Sequence, residues 1–245
     1  MRYMNIKEKT DIQLIPLGDI HYGAPLCDIN KLKETIEWIK NKPRVRVILM
    51  GDLIDAGLRD SVGGGSFDND STPEKQIDYI LDLITPIKNK VWCVLHGNHE
   101  ERIIQKTSID VSKMMARTLG VPYAGDSAYI RVKIGDTSYK VFAIHGNAGS
   151  LTPAGKLNGC MKIATYVDAD MYIMGHVHEL MSHSTVYIRM NVKDKMIEKD
   201  KRYYVLSGHF LKYGGYAEQK GYNPGKTGVV KIDLNKKKKD VHVSL

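Results

Sequence analysis

Cysteine is scarce in this chain. Only Cys27, Cys93 and Cys160 occur, an odd and scattered set that excludes a disulfide framework and points to a reducing compartment. No apolar run approaches the ~20 residues a membrane-spanning helix needs. The first residues, MRYMNIKEKTDIQLIPLGD, hold no apolar stretch of signal-peptide length. The expectation is a soluble, cytoplasmic protein with no membrane partner. Internal repeats and low-complexity linkers are missing too, so residues 1–245 read as a single domain.

What is present is ordinary in amount. Hydrophobic residues make up 42% and charged residues 26%, as in globular proteins generally, which excludes a disordered chain, a collagen-like fibre and a coiled-coil rod. Lys plus Arg number 36 against 28 Asp plus Glu, leaving a formal charge of +8. Much of the excess sits in the run Lys236 to Lys239, for which a solvated lysine face is the commoner reading than contact with nucleic acid or membrane.

The first two thirds alternate strand-like and helix-like segments, the mark of an α/β architecture. Gln13 to Leu17, Val45 to Met50 and Val91 to Leu95 are short Val/Ile/Leu-rich runs, as strands buried on both faces should be. Between them, Leu32, Ile36 and Ile39 fall on one face of a helix over 30–40 capped by Asp28. A second helix opens on Thr72-Pro73, with Ile77, Ile80, Leu81 and Ile84 as its stripe. In the last third, Gly135-Asp136 turns a hairpin between 128–134 and 138–144. Further strands are expected at 171–174, 180–189, 203–206, 229–234 and 241–245, with a helix at about 156–167. Residues 56–71 read as an inserted loop.

Five pieces fall at the ends of expected strands. They are Asp19-Ile20-His21, Gly51-Asp52-Leu53-Ile54-Asp55, Gly97-Asn98-His99-Glu100, His145-Gly146 and Gly175-His176-Val177-His178, and they hold five of the nine histidines. Loops at the carboxyl ends of α/β strands gather around one crevice. Carboxylate, amide oxygen and imidazole without thiolate suit Mn, Fe or Zn better than a structural thiolate zinc site. In D-x-H and H-x-H, alternate residues of an extended segment would reach into one site. Glycines 18, 51, 97 and 175 would permit tight turns where backbone nears a ligand. Each piece alone is weak; all five in this order are strong.

The set resembles the calcineurin-like metallophosphoesterase superfamily, whose pattern is D-x-H, G-D-x-x-D, G-N-H-[DE], H and G-H-x-H. That resemblance implies a four-layer α-β-β-α sandwich of two mixed sheets flanked by helices, with a dinuclear metal centre at the strand-end loops. It implies one divalent metal ion on Asp19, His21 and His178, a second on Asn98, His145 and His176, and Asp52 bridging both. His99 becomes the catalytic proton donor and Asp55 the residue that orients it. The cofactors would be two divalent ions, Mn first, with Fe or Zn as alternatives. Such a pair activates water and clamps phosphoryl oxygens.

For the substrate, the protein serine/threonine phosphatases continue the second motif with Arg, where this chain has Ala56. The G-H-x-H ending is shared with diesterase and nuclease branches, and the layout resembles phage and prophage members. The favoured reading is a phosphodiesterase acting on a nucleotide or nucleic-acid phosphoester. A phosphomonoesterase, protein phosphatases included, and a non-catalytic scaffold stand as alternatives. Arg102, a turn beyond His99, is the candidate phosphate-binding residue. His209 is expected at a strand end, within possible reach of the cleft. Gly221 to Thr227 (GYNPGKT) has three residues between its glycines where a P-loop needs four, so it reads as a turn. Tyr213, Tyr216 and Tyr222 can stack a base, although half-buried strand tyrosines are commoner. Gly63-Gly64-Gly65 reads as a flap.

Overall fold

The computed structural model describes every residue except 59–68, 70, 148, 193 and 222. The three expected apolar runs form β2 (Ile12–Leu17), β3 (Val45–Leu49) and β4 (Val91–Leu95), parallel and adjacent. They are the centre of a six-stranded sheet. The short β5 (Tyr123–Gly125) lies beyond β4, and on the other side β12 (Lys231–Leu234) pairs antiparallel with β2 and β13 (Val241–Ser244) antiparallel with β12. The other sheet has seven strands. β1 (Arg2–Glu8), β6 (Ser127–Ile134), β7 (Thr137–Ile144), β8 (Met171–Met174), β10 (Met196–His209) and β11 (Gly228–Val229) follow in that spatial order, and β9 (Leu180–Asn191) pairs with β10. Both sheets are mixed.

Alternation along the strands separates three apolar layers. Leu14, Ile48, Trp92, Tyr139, Val141, Ile173 and Val205 point between the sheets. Ile15, Leu17, Val47, Leu49 and Val94 point the other way, onto α1 (Ile29–Lys40), α2 (Pro73–Ile84) and α4 (Val111–Leu119). Phe142, Tyr172, Met174 and Leu206 pack on α5 (Pro153–Ile163). The result is the expected α-β-β-α sandwich. Cys27, Cys93 and Cys160 are buried free thiols.

Asp28 caps α1 by accepting the Lys31 amide, and Thr72 caps α2 with Pro73 at its first position. Several boundaries moved. The helix expected at 156–167 starts at Pro153, because Thr152 accepts the Gly155 amide at 3.2 Å, and it ends at Ile163. The strand expected at 203–206 is the last part of a fourteen-residue strand, whose charged first half concealed it. The run expected over 229–234 is split between β11 and β12. The charged N-terminus is a strand, β1, because it pairs in parallel with β6. The helices α3 (Asn98–Thr107) and α4 and the short one over Tyr216–Gln219 also lay outside the sequence expectation.

Gly63 to Gly65 and Tyr222 fall outside the described residues. The Lys236–Lys239 run is exposed, with Lys239 paired to Asp170 at 2.7 Å. No helix is long and apolar enough to cross a membrane among the described residues.

Candidate active site

Asp19 and His21 follow β2, Asp52 and Asp55 follow β3, Asn98 and His99 follow β4, His145 follows β7, and His176 and His178 follow β8. The carboxyl ends of β2, β3 and β4 in one sheet thus meet those of β7 and β8 in the other. The path is not the extended one that D-x-H and H-x-H spacing suggested. Asp19, His21, Asp52, His176 and His178 have φ of 48°, 51°, 49°, 68° and 50°, so the loops bend through left-handed conformations. Such residues cost roughly 1–3 kcal/mol each and persist where surrounding contacts over-determine them.

The contacts here are carboxylates taking amides from other loops. Asp19 accepts the His176 amide at 2.9 and 3.0 Å, and Asp52 Oδ1 accepts the His99 amide at 2.8 Å. Glu100, 1% exposed, accepts the amides of Asp52, Leu53 and Ile54 at 3.0, 2.7 and 3.3 Å. A Cβ on Gly97 would stand 2.1 Å from the Asp52 amide nitrogen, so glycine there serves the close approach of two loops.

Two sets of donor atoms converge. Asp19 Oδ1 is 3.4 Å from His178 Nε2, which is 2.9 Å from His21 Nε2. Asn98 Oδ1 is 2.9 Å from His145 Nε2 and 2.8 Å from His176 Nδ1. Between the sets stands Asp52 Oδ2, 3.7 Å from His21 Nε2 and 3.3 Å from His145 Nε2. Neighbouring donors on one ion, at ordinary ligand distances, lie about 3.0 Å apart in octahedral and about 3.4 Å apart in tetrahedral geometry. His145 Nδ1 donates to the Met50 carbonyl at 2.8 Å, which leaves Nε2 as the ligating atom.

Charge points the same way. Asp19 and Asp52 are 0% and 1% exposed, and among the described residues only imidazoles pair with them. Buried carboxylates require pairing or a metal. Burial alone would raise Asp52, but the charges of His145 and His99 outweigh it and hold the carboxyl well below its usual range. Burial would likewise lower His145, but Asp52 dominates and pushes it up to about 10. The buried carboxylates thus favour positive charge at this place. His21, lowered by burial and by His99, falls to about 4, the neutral form a metal needs. The donor set fits two divalent ions.

His99 Nδ1 lies 2.7 Å from the Asp55 carbonyl oxygen and 3.2 Å from Asp55 Oδ1. Burial works against ionised Asp55, yet hydrogen bonds with His21 and His99 hold its carboxyl far below the usual range. Asn69 Nδ2 donates to Asp55 Oδ2 at 2.8 Å. Arg102 donates from Nη2 to His99 Nε2 at 3.0 Å and from Nη1 to the Asp55 carbonyl at 3.2 Å. His21, Asp52 and His99 also form a compact triad, but the guanidinium on Nε2 disfavours a metal at His99.

Two contributors escaped the sequence reading in whole or part. Glu100 stood in the motif, but nothing local tells that its carboxylate turns back onto the Asp52 loop. His209 ends β10 and is 5% exposed. Its ring stacks on His178, with centroids 5.2 Å apart at 15°, and both its nitrogens are buried without a hydrogen-bond partner among the described residues. Tyr213 is 43% exposed.

A family model described as calcineurin-like phosphoesterase matches residues 14–180. Among solved structures, a predicted phosphoesterase from Streptococcus pneumoniae TIGR4 is similar at 13% identity and a TM-score of 0.40, covering 96% of this chain and 90% of that one. The Pseudomonas putida nuclease MPE is similar at 11% identity and a TM-score of 0.37, covering 94% and 87%. No curated protein sequence matches.

Proposed function

The chain belongs to the calcineurin-like phosphoesterase family, and from that premise we propose that it hydrolyses a phosphodiester of a nucleotide or nucleic acid, with His99 as proton donor and Arg102 as phosphate clasp. It is a metal-dependent phosphohydrolase; the assignments below are our reading of how. Asp19, His21 and His178 would hold one divalent ion, Asn98, His145 and His176 the other, with Asp52 shared between them. Mn is the first candidate, with Fe or Zn as alternatives, because the donors are oxygen and imidazole without thiolate. When bound, the two ions lower the pKa of water and neutralise charge on the phosphoryl oxygens.

The chain's own residues do the rest. Asp55 fixes the His99 ring by its Nδ1, leaving Nε2 for proton transfer to the departing ester oxygen. Arg102 covers that nitrogen in the free protein. A phosphoryl oxygen is a better acceptor for the guanidinium than a neutral imidazole, so substrate draws Arg102 away and frees Nε2 to take up a proton from water, which Asp52 and Asp55 favour against burial, and to pass it to the departing oxygen.

The diester preference rests on one observation. Ala56, where the protein phosphatases carry a phosphate-binding arginine, is fully buried, and its amide is taken by Gln76 Oε1 at 3.0 Å. One guanidinium beside His99 suits a monoanionic diester better than a dianionic monoester. The test compares hydrolysis of bis-p-nitrophenyl phosphate and p-nitrophenyl phosphate by Mn-loaded protein. A diester preference lost in His99→Ala supports the proposal; a monoester preference overturns it.

A further inference from the structure

β9 and β10 form an arm. β8 accompanies β10 only over Tyr203–Leu206, whereas β9 pairs with it from Met196↔Asn191 to Ser207↔Leu180. The far half is therefore a two-stranded ribbon leaving the sandwich at the amino end of β8, opposite the end that carries His176 and His178. Two-stranded ribbons are marginal in water unless a face is covered.

The two faces differ. On one, Arg189 bridges Glu198 and Asp200 at 2.7 and 2.9 Å, and Arg202 lies 4.2 Å over the Tyr187 ring while donating to the Ala164 carbonyl. That face is closed by its own contacts and by the end of α5. The other face carries Val186, Ile188 and Met190 of β9, with Ile197 opposite Met190. They are 60%, 68%, 74% and 71% exposed, and Val192 at the tip is 77% exposed. The strip continues the side on which Tyr203 packs into the layer between the sheets.

We propose that this strip is a self-association surface, covered by the same strip of a second copy of this chain. Size is the argument for a copy. The five aliphatic side chains offer on the order of 500 Å² of apolar surface. A standard interface takes ~800 Å² from each partner, a little over half of it apolar, so two strips supply what a stable dimer needs. The faces are identical, which a two-fold contact requires. Lys199 and Lys201, opposite Ile188 and Val186, are exposed on the same face, and a lysine so placed can cover apolar surface with its methylenes while its head stays in water. Both copies bring the same charge, so salt tightens the pair.

Sedimentation velocity of the full chain tests this. Wild type runs at twice the 27.6 kDa chain mass and associates more tightly as salt rises. Ile188→Glu with Met190→Glu weakens association at least ~100-fold, as loss of a central apolar contact does, while diester hydrolysis and metal content stay unchanged. The milder Ile188→Ser weakens it less and guards against misfolding of the charged variant. A monomeric wild type at high concentration, or a dimer indifferent to these substitutions, overturns the proposal. So does a monomer that instead binds vesicles containing phosphatidylglycerol but not pure phosphatidylcholine.

Discussion

The Glu100 carboxylate receives the Asp52 amide at 3.0 Å, with the Leu53 and Ile54 amides beside it. One buried acid thereby holds the left-handed turn that aims Asp52 at both donor sets. Glu100→Gln puts an NH₂ group against one of these amides. The expected result is a loss of about 1–3 kcal/mol for an unmade buried hydrogen bond, together with reduced metal retention after dialysis. Unchanged metal content would show that the Asp52 turn needs no such support.

His99→Ala is expected to lower turnover by about 10²–10⁴-fold, the usual worth of a positioned proton donor. Bound metal should stay at the wild-type level. Metal loss in this variant would instead make His99 a ligand of the His21–Asp52 triad.

Arg102→Lys separates charge from fork geometry. A lysine cannot hold the Asp55 carbonyl and a phosphoryl oxygen as a planar guanidinium does. We expect kcat/KM for the diester to fall about 10-fold or more, with little recovery relative to Arg102→Ala. Wild-type kinetics in both variants would reduce Arg102 to a surface residue.

Gly225 lies against His209, where an added Cβ would meet Nε2 at 2.8 Å. Gly225→Ala should press the His209 ring into His178 and lower metal affinity, measured by titration calorimetry with Mn²⁺. His209→Phe keeps a stacking ring and should retain more affinity than His209→Ala. Equal affinities in both would remove the stack from the account.

The Tyr139 hydroxyl meets the carbonyls of Asn235, Lys238 and Asp240 and the amides of Asn235 and Asp240. It pins the lysine turn to β7. Tyr139→Phe should cost about 2 kcal/mol, a Tm fall of about 4–8 °C for a chain of this length, with hydrolysis unaffected.

The three buried strands and two capped helices were legible because apolar runs and Asp28 or Thr72-Pro73 act locally. The five motif pieces were legible as chemistry, since their residue types recur in fixed order. The left-handed backbone at Asp19, His21, Asp52, His176 and His178 was not, because contacts from other loops impose it against local preference. β10 was under-read because Glu198 to Arg202 look like a charged loop until Arg189 and Tyr187 stand opposite them. His209 could be placed at a strand end, but its stack on His178 depends on β10 lying beside β8.

Metal stoichiometry of wild type and Asp52→Asn, by mass spectrometry of Mn-loaded, desalted protein, tests the central claim most directly. The dinuclear reading expects about two ions per chain in wild type and at most about one in the variant, with hydrolysis lost alongside. Two ions retained in Asp52→Asn would contradict the bridging role on which the site was built.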